Sequence, residues 1–225
     1  GAIASRYRLL GVAPAARIIA IKAFDESAAS AEATSFQILK GLDYAISRNV
    51  RIINMSFAGP RDPMMERTLK TAYDKGIILI AAAGNAGPKS PPLYPGADPS
   101  VIAVTATDYT DKPFAMANRG KYIAVAAPGV DVMVPAPNNS YQLTTGTSVA
   151  AAHVSGIAAL LVESKPTITP GELRAILTRT AKTITARAKD DPTAAGLVDP
   201  VSALQALGPA KSVESVLPTA GTTIH

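Results

Sequence analysis

Short apolar runs alternate along this chain with stretches in which apolar residues recur at helical spacing. Nearly continuous apolar runs of this kind are typical of strands buried on both faces of a sheet. They predict strands at 17–23, 52–55, 77–82, 101–105 and 122–126. Helical periodicity predicts helices over about 34–48 and 64–75. This alternation favours a three-layer α/β fold, with a mostly parallel sheet and helices on both faces.

The C-terminal part is predicted to be helical. Thr169 and Glu172 flank Pro170 in a capping-box pattern, which indicates a helix start. A second, short helix is predicted to end near Leu207. Residues 208–225 show no clear period and are interpreted as a tail, so the sequence predicts one domain over 1–207.

One predicted helix is apolar nearly all round and follows a predicted strand, within 138–145, and a tight turn at Gly146. Such a helix is expected to be buried, and Ser148 lies in its first turn. Backbone N–H groups there lack partners within the helix, and the helix dipole favours negative charge. A serine hydroxyl at this place can serve as a nucleophile, with an oxyanion forming beside the free N–H groups. The alternative is that Ser148 only caps a core helix, a common role of serine at a helix start.

The segment from Gly146 to Gly156 reads Gly-Thr-Ser-Val-Ala-Ala-Ala-His-Val-Ser-Gly. It resembles the nucleophile motif of the subtilisin-like serine proteases, usually Gly-Thr-Ser-Met-Ala-x-Pro-His-Val-x-Gly. It departs from that motif at Val149, where methionine is usual, and at Ala152, where proline is usual. The resemblance implies a subtilisin-like fold and a serine endopeptidase that forms an acyl-enzyme on Ser148.

A second segment places Asn85 just after an apolar run, between Gly84 and Gly87. At the carboxyl end of a buried strand, the side-chain NH₂ of Asn85 could donate to a developing oxyanion. The resemblance implies this role, because Asn85 looks like the family's oxyanion-hole asparagine, with Ser148 supplying a backbone N–H. The alternative is an asparagine tolerated in a left-handed turn.

Residues 54–60 read Asn-Met-Ser-Phe-Ala-Gly-Pro. They resemble the Asn-Met-Ser-Leu-Gly-Gly-Pro stretch that borders the family's substrate cleft. The resemblance implies that the backbone of Ser56, Phe57 and Ala58 binds an extended peptide as an added strand. An ordinary strand end is the alternative interpretation.

The opposite wall of the cleft is also implied by resemblance. Ala82, Ala83 and Gly84 are expected to line the pocket for the substrate residue that precedes the cut. Leu93 stands where glycine is common at the pocket base. We therefore expect a shallow pocket that prefers small side chains.

Composition narrows the classes of function. Hydrophobic residues make up 48% of the 225 residues and charged residues 17%, which suits a packed core of small residues. The net charge of +5 comes from scattered basic residues without interleaved aromatics, which argues against nucleic-acid binding. No apolar run has the length of a membrane span. The absence of cysteine excludes disulfides, thiolate metal sites and cysteine nucleophiles.

A serine nucleophile needs a base, and the base needs an orienting group. The histidines are His153, which should point away from Ser148 on the same helix, and His225 at the end of the sequence. In the resembled family the Asp and His motifs precede a Gly-Val-Ala-Pro turn, which here starts at Gly11. Both motifs are therefore expected before Gly1, and the chain alone is expected to be inactive.

Several expectations about partners follow. The substrate is expected to be a peptide or protein, and a complementary N-terminal segment could supply the missing groups. The alternative is a non-catalytic module of the same fold that binds peptide or serves as a scaffold. No metal site or cofactor is assigned; calcium often stabilises the resembled family, but no clustered Asp/Asn loop supports a site. The resemblance suggests a secreted or periplasmic location and leaves the compartment open.

Overall fold

A computed structural model describes residues 1–24, 33–184 and 196–208. In chain order the elements are β1 (Arg6–Tyr7), β2 (Leu9–Leu10), α1 (Ser35–Ser47), β3 (Ile52–Met55), α2 (Pro63–Asp74), β4 (Ile78–Ala82), β5 (Val101–Thr107), β6 (Ile123–Pro128), β7 (Val132–Ala136), β8 (Ser140–Thr144), α3 (Thr147–Ser164), α4 (Pro170–Thr180) and α5 (Pro200–Gln205).

The central sheet has four parallel strands in the order β3-β4-β5-β6. Ile80 of β4 lies opposite Asn54 of β3 and Ile102 of β5, which sets the register across the sheet. The strands β4 and β5 are buried along their whole length. Their sequences are almost continuously apolar because helices cover both faces of the sheet.

The two faces of the sheet have separate cores. On one face, α3 packs against all four strands and α4 against β6, around Ile80, Val104, Val154 and Leu161. On the other face, α1 and α2 pack with Leu69 at their centre. This confirms the predicted α/β architecture with helices on both faces of a parallel sheet.

Helix starts follow the capping signals in the sequence. Thr34 begins α1 with a capping box, and Thr169 and Glu172 form the predicted capping box of α4. The helix α3 differs, because its N-cap residue is Gly146, which has no side chain to cap it. The first N–H groups of α3 are therefore available to residues from other elements.

The predicted strand at 17–23 is wrong. Residues 17–23 form no strand, and Ile18, Ile19 and Ile21 are 58%, 48% and 39% exposed. An apolar run becomes a buried strand only if a neighbouring strand pairs with it, and none of the described strands does so. The strand predicted before Gly146 is present as β8, but its antiparallel pairing with β7 was not predicted, and neither was the β1–β2 pair.

Within the described ranges, α3 is the one helix long and apolar enough, by length and composition, to cross a membrane. More than half of it is buried inside the protein. It contacts all four strands of the central sheet. These contacts identify α3 as a core helix.

The predicted tail, 208–225, falls outside the described residues apart from Gly208.

Candidate active site

The carboxyl end of β4 and the first turn of α3 meet through a hydrogen-bond network centred on Thr147. The backbone N–H and the hydroxyl of Thr147 both donate to Asn85 Oδ1, at 3.0 and 2.9 Å. The backbone N–H of Gly84 donates to Thr147 Oγ1 at 3.2 Å. Because Oδ1 of Asn85 is engaged as an acceptor, its amide orientation is set, and Nδ2 faces the opposite way.

Asn85 and Ser148 converge on one point beside Gly146. A Cβ built on Gly146 would lie 3.1 Å from Asn85 Nδ2 and 3.1 Å from Ser148 Oγ. The same point is 3.8 Å from the backbone nitrogen of Ser148. A hydroxyl oxygen, an amide nitrogen and a backbone nitrogen therefore lie within 4 Å of a position that glycine leaves open.

Electrostatics favour negative charge at this point. Ser148 lies in the first turn of the 18-residue helix α3, whose N-cap residue Gly146 has no side chain and whose first N–H, that of Thr147, donates to Asn85 Oδ1. The aligned peptide dipoles place about half a positive charge at such a helix start. Ser148 is half-buried and Asn85 is exposed, so the space is open to solvent on one side.

A second network holds the first turn of α3 against the end of β3. Ser56 Oγ donates to the backbone oxygen of Ser148 at 2.9 Å and accepts from Asn54 Nδ2 at 2.9 Å. Ser155 Oγ donates to Asn54 Oδ1 at 2.9 Å. Sequence reasoning missed this network. The available signal was the spacing of Asn54 and Ser56, two polar residues at i and i+2 where an apolar strand ends, which places them on the same side of an extended chain.

The predicted substrate-binding residues of the β3 end have free backbone groups. In the part of the chain that the structure describes, the N–H and C=O of Phe57 and Ala58 make no hydrogen bond. Beyond them, Gly59 pairs with Tyr94 in an antiparallel bridge. Phe57 packs on Phe24, with ring centroids 5.5 Å apart.

The predicted opposite wall is built differently, because its backbone groups are already engaged. Ala83 N–H donates to Val104 O, and its carbonyl accepts from the hydroxyl of Tyr122. Ala82 and Ala83 are buried. This wall can therefore limit a pocket by its shape, but it cannot pair with a peptide along its backbone.

Leu93 lies against this wall. Its Cδ1 is 3.0 Å from the position of a Cβ on Gly84. The antiparallel bridge at Tyr94 brings Leu93 close to the end of β3 as well. Leu93 thus occupies space between the two predicted walls of the cleft.

His153 is the single histidine within the described ranges, and it turns away from Ser148. Its Nδ1 lies 2.9 Å from Pro128 O, so Nδ1 carries the proton and donates. Partial burial lowers the pKa of His153, and the hydrogen bond to Pro128 opposes this only in part. The side chain is therefore neutral near pH 7 and holds α3 to the end of β6.

We expect His153 to make the fold less stable in mild acid. Its pKa is lowered in the folded state from an unfolded value near 6.5. The unfolded chain then binds more protons, so the free energy of unfolding falls as pH decreases through about 6.5. Below the pKa of His153 in the folded state, this residue no longer lowers the free energy of unfolding further. Denaturant midpoints at pH 8.0 and 5.5 should differ more for the wild type than for His153→Gln; equal differences would contradict the assignment.

No group of three or more metal-ligating side chains occurs among residues 1–24, 33–184 and 196–208. Asp131 is held by its local turn, where Oδ1 accepts from Thr145 Oγ1 at 3.1 Å.

The chain is similar in sequence to proteases. Subtilisin E of Bacillus subtilis is 38% identical over 180 residues, covering 77% of this chain and 46% of that protein. The minor extracellular protease Epr of the same species is 34% identical over 175 residues, covering 77% of this chain and 27% of that protein. This chain thus spans less than two thirds of the length of these relatives: 46% of subtilisin E, and 64% of subtilisin DY of Bacillus licheniformis.

Solved structures of proteases are also similar to this chain in fold. Fervidolysin from Fervidobacterium pennivorans, described as a keratinolytic enzyme related to subtilisin, superposes with a TM-score of 0.80 at 27% identity, over 94% of this chain and 36% of that one. The prenylagaramide maturation protease PagA superposes with a TM-score of 0.72 at 27% identity, over 80% of this chain and 70% of that one. The family model for subtilases matches residues 1–204. The chain belongs to the subtilase family.

Proposed function

We propose that this chain is the nucleophile-bearing and oxyanion-binding part of a serine endopeptidase. The observation that carries the proposal is the convergence of Ser148 Oγ, Ser148 N and Asn85 Nδ2 on one point beside Gly146. A tetrahedral intermediate needs a hydroxyl on one side of the reacting carbon and N–H donors around its oxygen. These three groups supply both.

The reaction proceeds through an acyl-enzyme. Ser148 Oγ attacks the peptide carbonyl carbon while a base takes its proton, and the oxyanion accepts from Asn85 Nδ2 and Ser148 N–H. The C–N bond then breaks, and the base returns the proton to the leaving amine. Water, activated by the same base, hydrolyses the ester on Ser148.

The base must come from residues other than His153. Its Nδ1 donates to Pro128 O, and it lies on the side of α3 away from Ser148. We assign the base and its orienting carboxylate to a complementary segment outside residues 1–225. The chain alone should therefore leave casein undigested, whereas clear digestion that depends on Ser148 would overturn this assignment.

The substrate is an extended peptide. The free backbone groups of Phe57 and Ala58 support its pairing along the end of β3. Gly59 and Tyr94 already form an antiparallel bridge next to that position. The side chain before the cut enters the space between this edge and the wall of Ala83 and Gly84, which Leu93 narrows.

Leu93 restricts this pocket, so Leu93→Gly should enlarge it. Removing an isobutyl group that lies 3.0 Å from the Cβ position of Gly84 opens room for an aromatic side chain. One methylene in such a pocket changes kcat/KM about 10- to 200-fold, so we expect the ratio of phenylalanine to alanine substrates to rise by at least about tenfold. Peptide-library profiling of the complete enzyme measures this ratio. A wild-type preference for large aromatics would contradict the shallow pocket.

A second candidate function is a non-catalytic subtilase module that binds peptide or serves as a scaffold. The observation that favours it is the lack of a suitably placed histidine among the described residues. Under this alternative, the backbone edge at 57–58 still binds peptide, but Ser148 is never acylated.

Three further proposals concern the whole protein. The relative named as an extracellular protease supports export of this chain from the cytoplasm. Residues 1–207 act as one partial catalytic domain, with 208–225 as a tail. No cofactor takes part in the reaction, because serine acyl transfer needs only protein groups.

The gene sequence upstream of Gly1 separates the two candidate functions. We expect an Asp motif and a His motif there. The full gene product should then digest casein, and its Ser148→Ala variant should not. A gene without these motifs, or digestion that survives Ser148→Ala, would refute the peptidase assignment.

A further inference from the structure

Asn118 is a buried polar residue in the connection between β5 and β6. Its exposed fraction is 0%, although asparagine is mostly exposed in folded proteins. A buried amide is stable only where hydrogen bonds replace those it would make to water. The hydrogen-bond partners of Asn118 therefore indicate its role.

Asn118 bonds to the two peptide groups that flank the Cα of Asn85. Its backbone N–H donates to Gly84 O at 3.0 Å, on the amino side of Asn85. Its Oδ1 accepts from Ala86 N–H at 2.9 Å, on the carboxyl side. Each peptide group is planar, so rotation of either one about the Cα of Asn85 would break one of these bonds. Asn118 thereby fixes both backbone dihedral angles of Asn85.

The other half of the Asn118 amide anchors the residue itself. Its Nδ2 donates to Pro91 O at 3.3 Å and to Ser90 Oγ at 3.4 Å. These oxygens require the NH₂ group on one side, and Ala86 N–H requires the carbonyl oxygen on the other. The orientation of the amide is therefore set by its partners, and both of its polar atoms are engaged.

The loop of Asn85 lies in close contact with Asn118. A Cβ on Gly84 would lie 3.0 Å from Cγ and Nδ2 of Asn118, and the φ of Gly84 is +110°, a region that favours glycine. Gly87 N–H donates to Met116 O at 2.8 Å, so residues 116–118 lie beside residues 84–87. The backbone at Asn85 cannot shift without moving this buried neighbour.

Two residues from different elements thus hold Asn85. Thr147 engages Oδ1 and orients the side chain, whereas Asn118 fixes the backbone. Both constraints together direct Nδ2 of Asn85 to the point beside Gly146. We infer that Asn118 is a positioning residue for the oxyanion donor Asn85. The inference goes beyond the proposed function and rests on it, because Asn85 donates to an oxyanion only if the protein is a peptidase.

Asn118→Leu in the full gene product tests this role. Leucine has nearly the same shape but removes both Oδ1 and Nδ2, so Ala86 N–H loses its acceptor. A displacement of about 1 Å can cost about 100-fold in rate, and the backbone N–H of Asn118 remains, so we expect kcat to fall at least about tenfold. KM should stay within about twofold, since Asn85 acts in the transition state.

A double-mutant cycle with Asn85→Leu separates positioning from a general structural role. If Asn118 acts through Asn85, Asn118→Leu should change kcat less than about twofold once Asn85 is leucine. The same loss in both backgrounds would mean that Asn118 does not act through Asn85, and it would overturn the inference. Asn118→Ala, with a smaller side chain, is the second variant in case leucine prevents folding.

Asp199→Ala is the matched control for lost stability. Asp199 is also buried, and its Oδ1 accepts from the backbone N–H groups of Val201 and Ser202 at the start of α5. Its removal should lower the unfolding midpoint, as Asn118→Leu does, but should leave kcat unchanged. A similar fall in kcat for both variants would attribute the effect to stability and contradict the inference.

Hydrogen exchange tests the same contact without catalysis. In the full gene product that carries Ser148→Ala, Asn118→Leu should speed amide exchange at Ala86 at least about tenfold. Exchange at Ala83, whose N–H donates to Val104 O, should not change. Unchanged exchange at Ala86, or an equal rise at Ala83, overturns the inference.

The two measurements distinguish this inference from the proposed function. If the wild-type full gene product is inactive but exchange at Ala86 responds as expected, the peptidase assignment fails and Asn118 still fixes the backbone of Asn85. If the wild type digests casein but the cycle shows equal losses in both backgrounds, only the positioning role fails.

Discussion

Asn85→Leu in the complete enzyme is expected to lower kcat about 10²- to 10³-fold with little change in KM; this magnitude is that of removing one oxyanion donor in subtilisin, a relative of this chain. The reason is that Asn85 Nδ2 faces the point shared with Ser148, where charge develops only in the transition state. Loss of a group that acts only there reduces kcat and kcat/KM equally. Steady-state kinetics on a peptide amide measure both constants.

The variant Asn85→Asp tests hydrogen-bond donation by Asn85 Nδ2 separately from the structural role of Oδ1. A carboxylate keeps an acceptor for the N–H and hydroxyl of Thr147, so the fold around the site should persist. It replaces Nδ2 with an oxygen that repels an oxyanion, and the loss in kcat should be at least as large as for leucine. An Asp variant that keeps wild-type kcat, or that raises only KM, would contradict the role of Asn85. Unchanged unfolding midpoints are the control.

Gly129→Ala is expected to lower the free energy of unfolding by about 1–3 kcal/mol, the usual range for overpacking a filled site. A Cβ on Gly129 would lie 2.7 Å from the Cβ of Ala106 and 2.8 Å from the backbone oxygen of Gly146. Neither neighbour is a flexible side chain, so β5 or the turn before α3 must move. Gly146 N–H also donates to Gly129 O, which ties that movement to the position of Ser148.

Gly59→Ala is the matched control for Gly129→Ala. No atom lies within 4 Å of a Cβ built on Gly59. The free energy of unfolding of Gly59→Ala, measured in urea, should therefore stay within about 0.5 kcal/mol of the wild-type value, as for most surface changes. The complete enzyme should also lose activity with Gly129→Ala, since Ser148 shifts. Equal stability of the two variants would refute the close packing at Gly129.

Helices and central strands were predictable because their signals are local. The capping box at Thr169 set the start of α4, and the apolar run ending at Ala82 could be buried only as a central strand. The run at 17–23 carried the same signal but lacks a pairing partner, which no local pattern reveals. The strand β7 and its pairing with β8 were missed because the residues of this hairpin are mostly exposed or half-exposed.

The site was predictable in part. A strand end at Asn85 and a helix start at Ser148 can meet in a parallel α/β fold, because both lie at the carboxyl edge of the sheet. The sequence did not indicate that Thr147 would organise the amide of Asn85, since its hydroxyl bonds depend on how β4 and α3 are positioned. The Ser155–Asn54–Ser56 network likewise joins residues that are distant in sequence.

Labelling with a fluorophosphonate shows whether Ser148 is a nucleophile that is activated by groups outside this chain. The reagent phosphonylates a serine only when a base activates its hydroxyl. Mass spectrometry of the full gene product should find the label on Ser148, and chain 1–225 alone should remain unlabelled. A full product in which Ser148 stays unmodified, or in which another residue takes the label, would contradict the account.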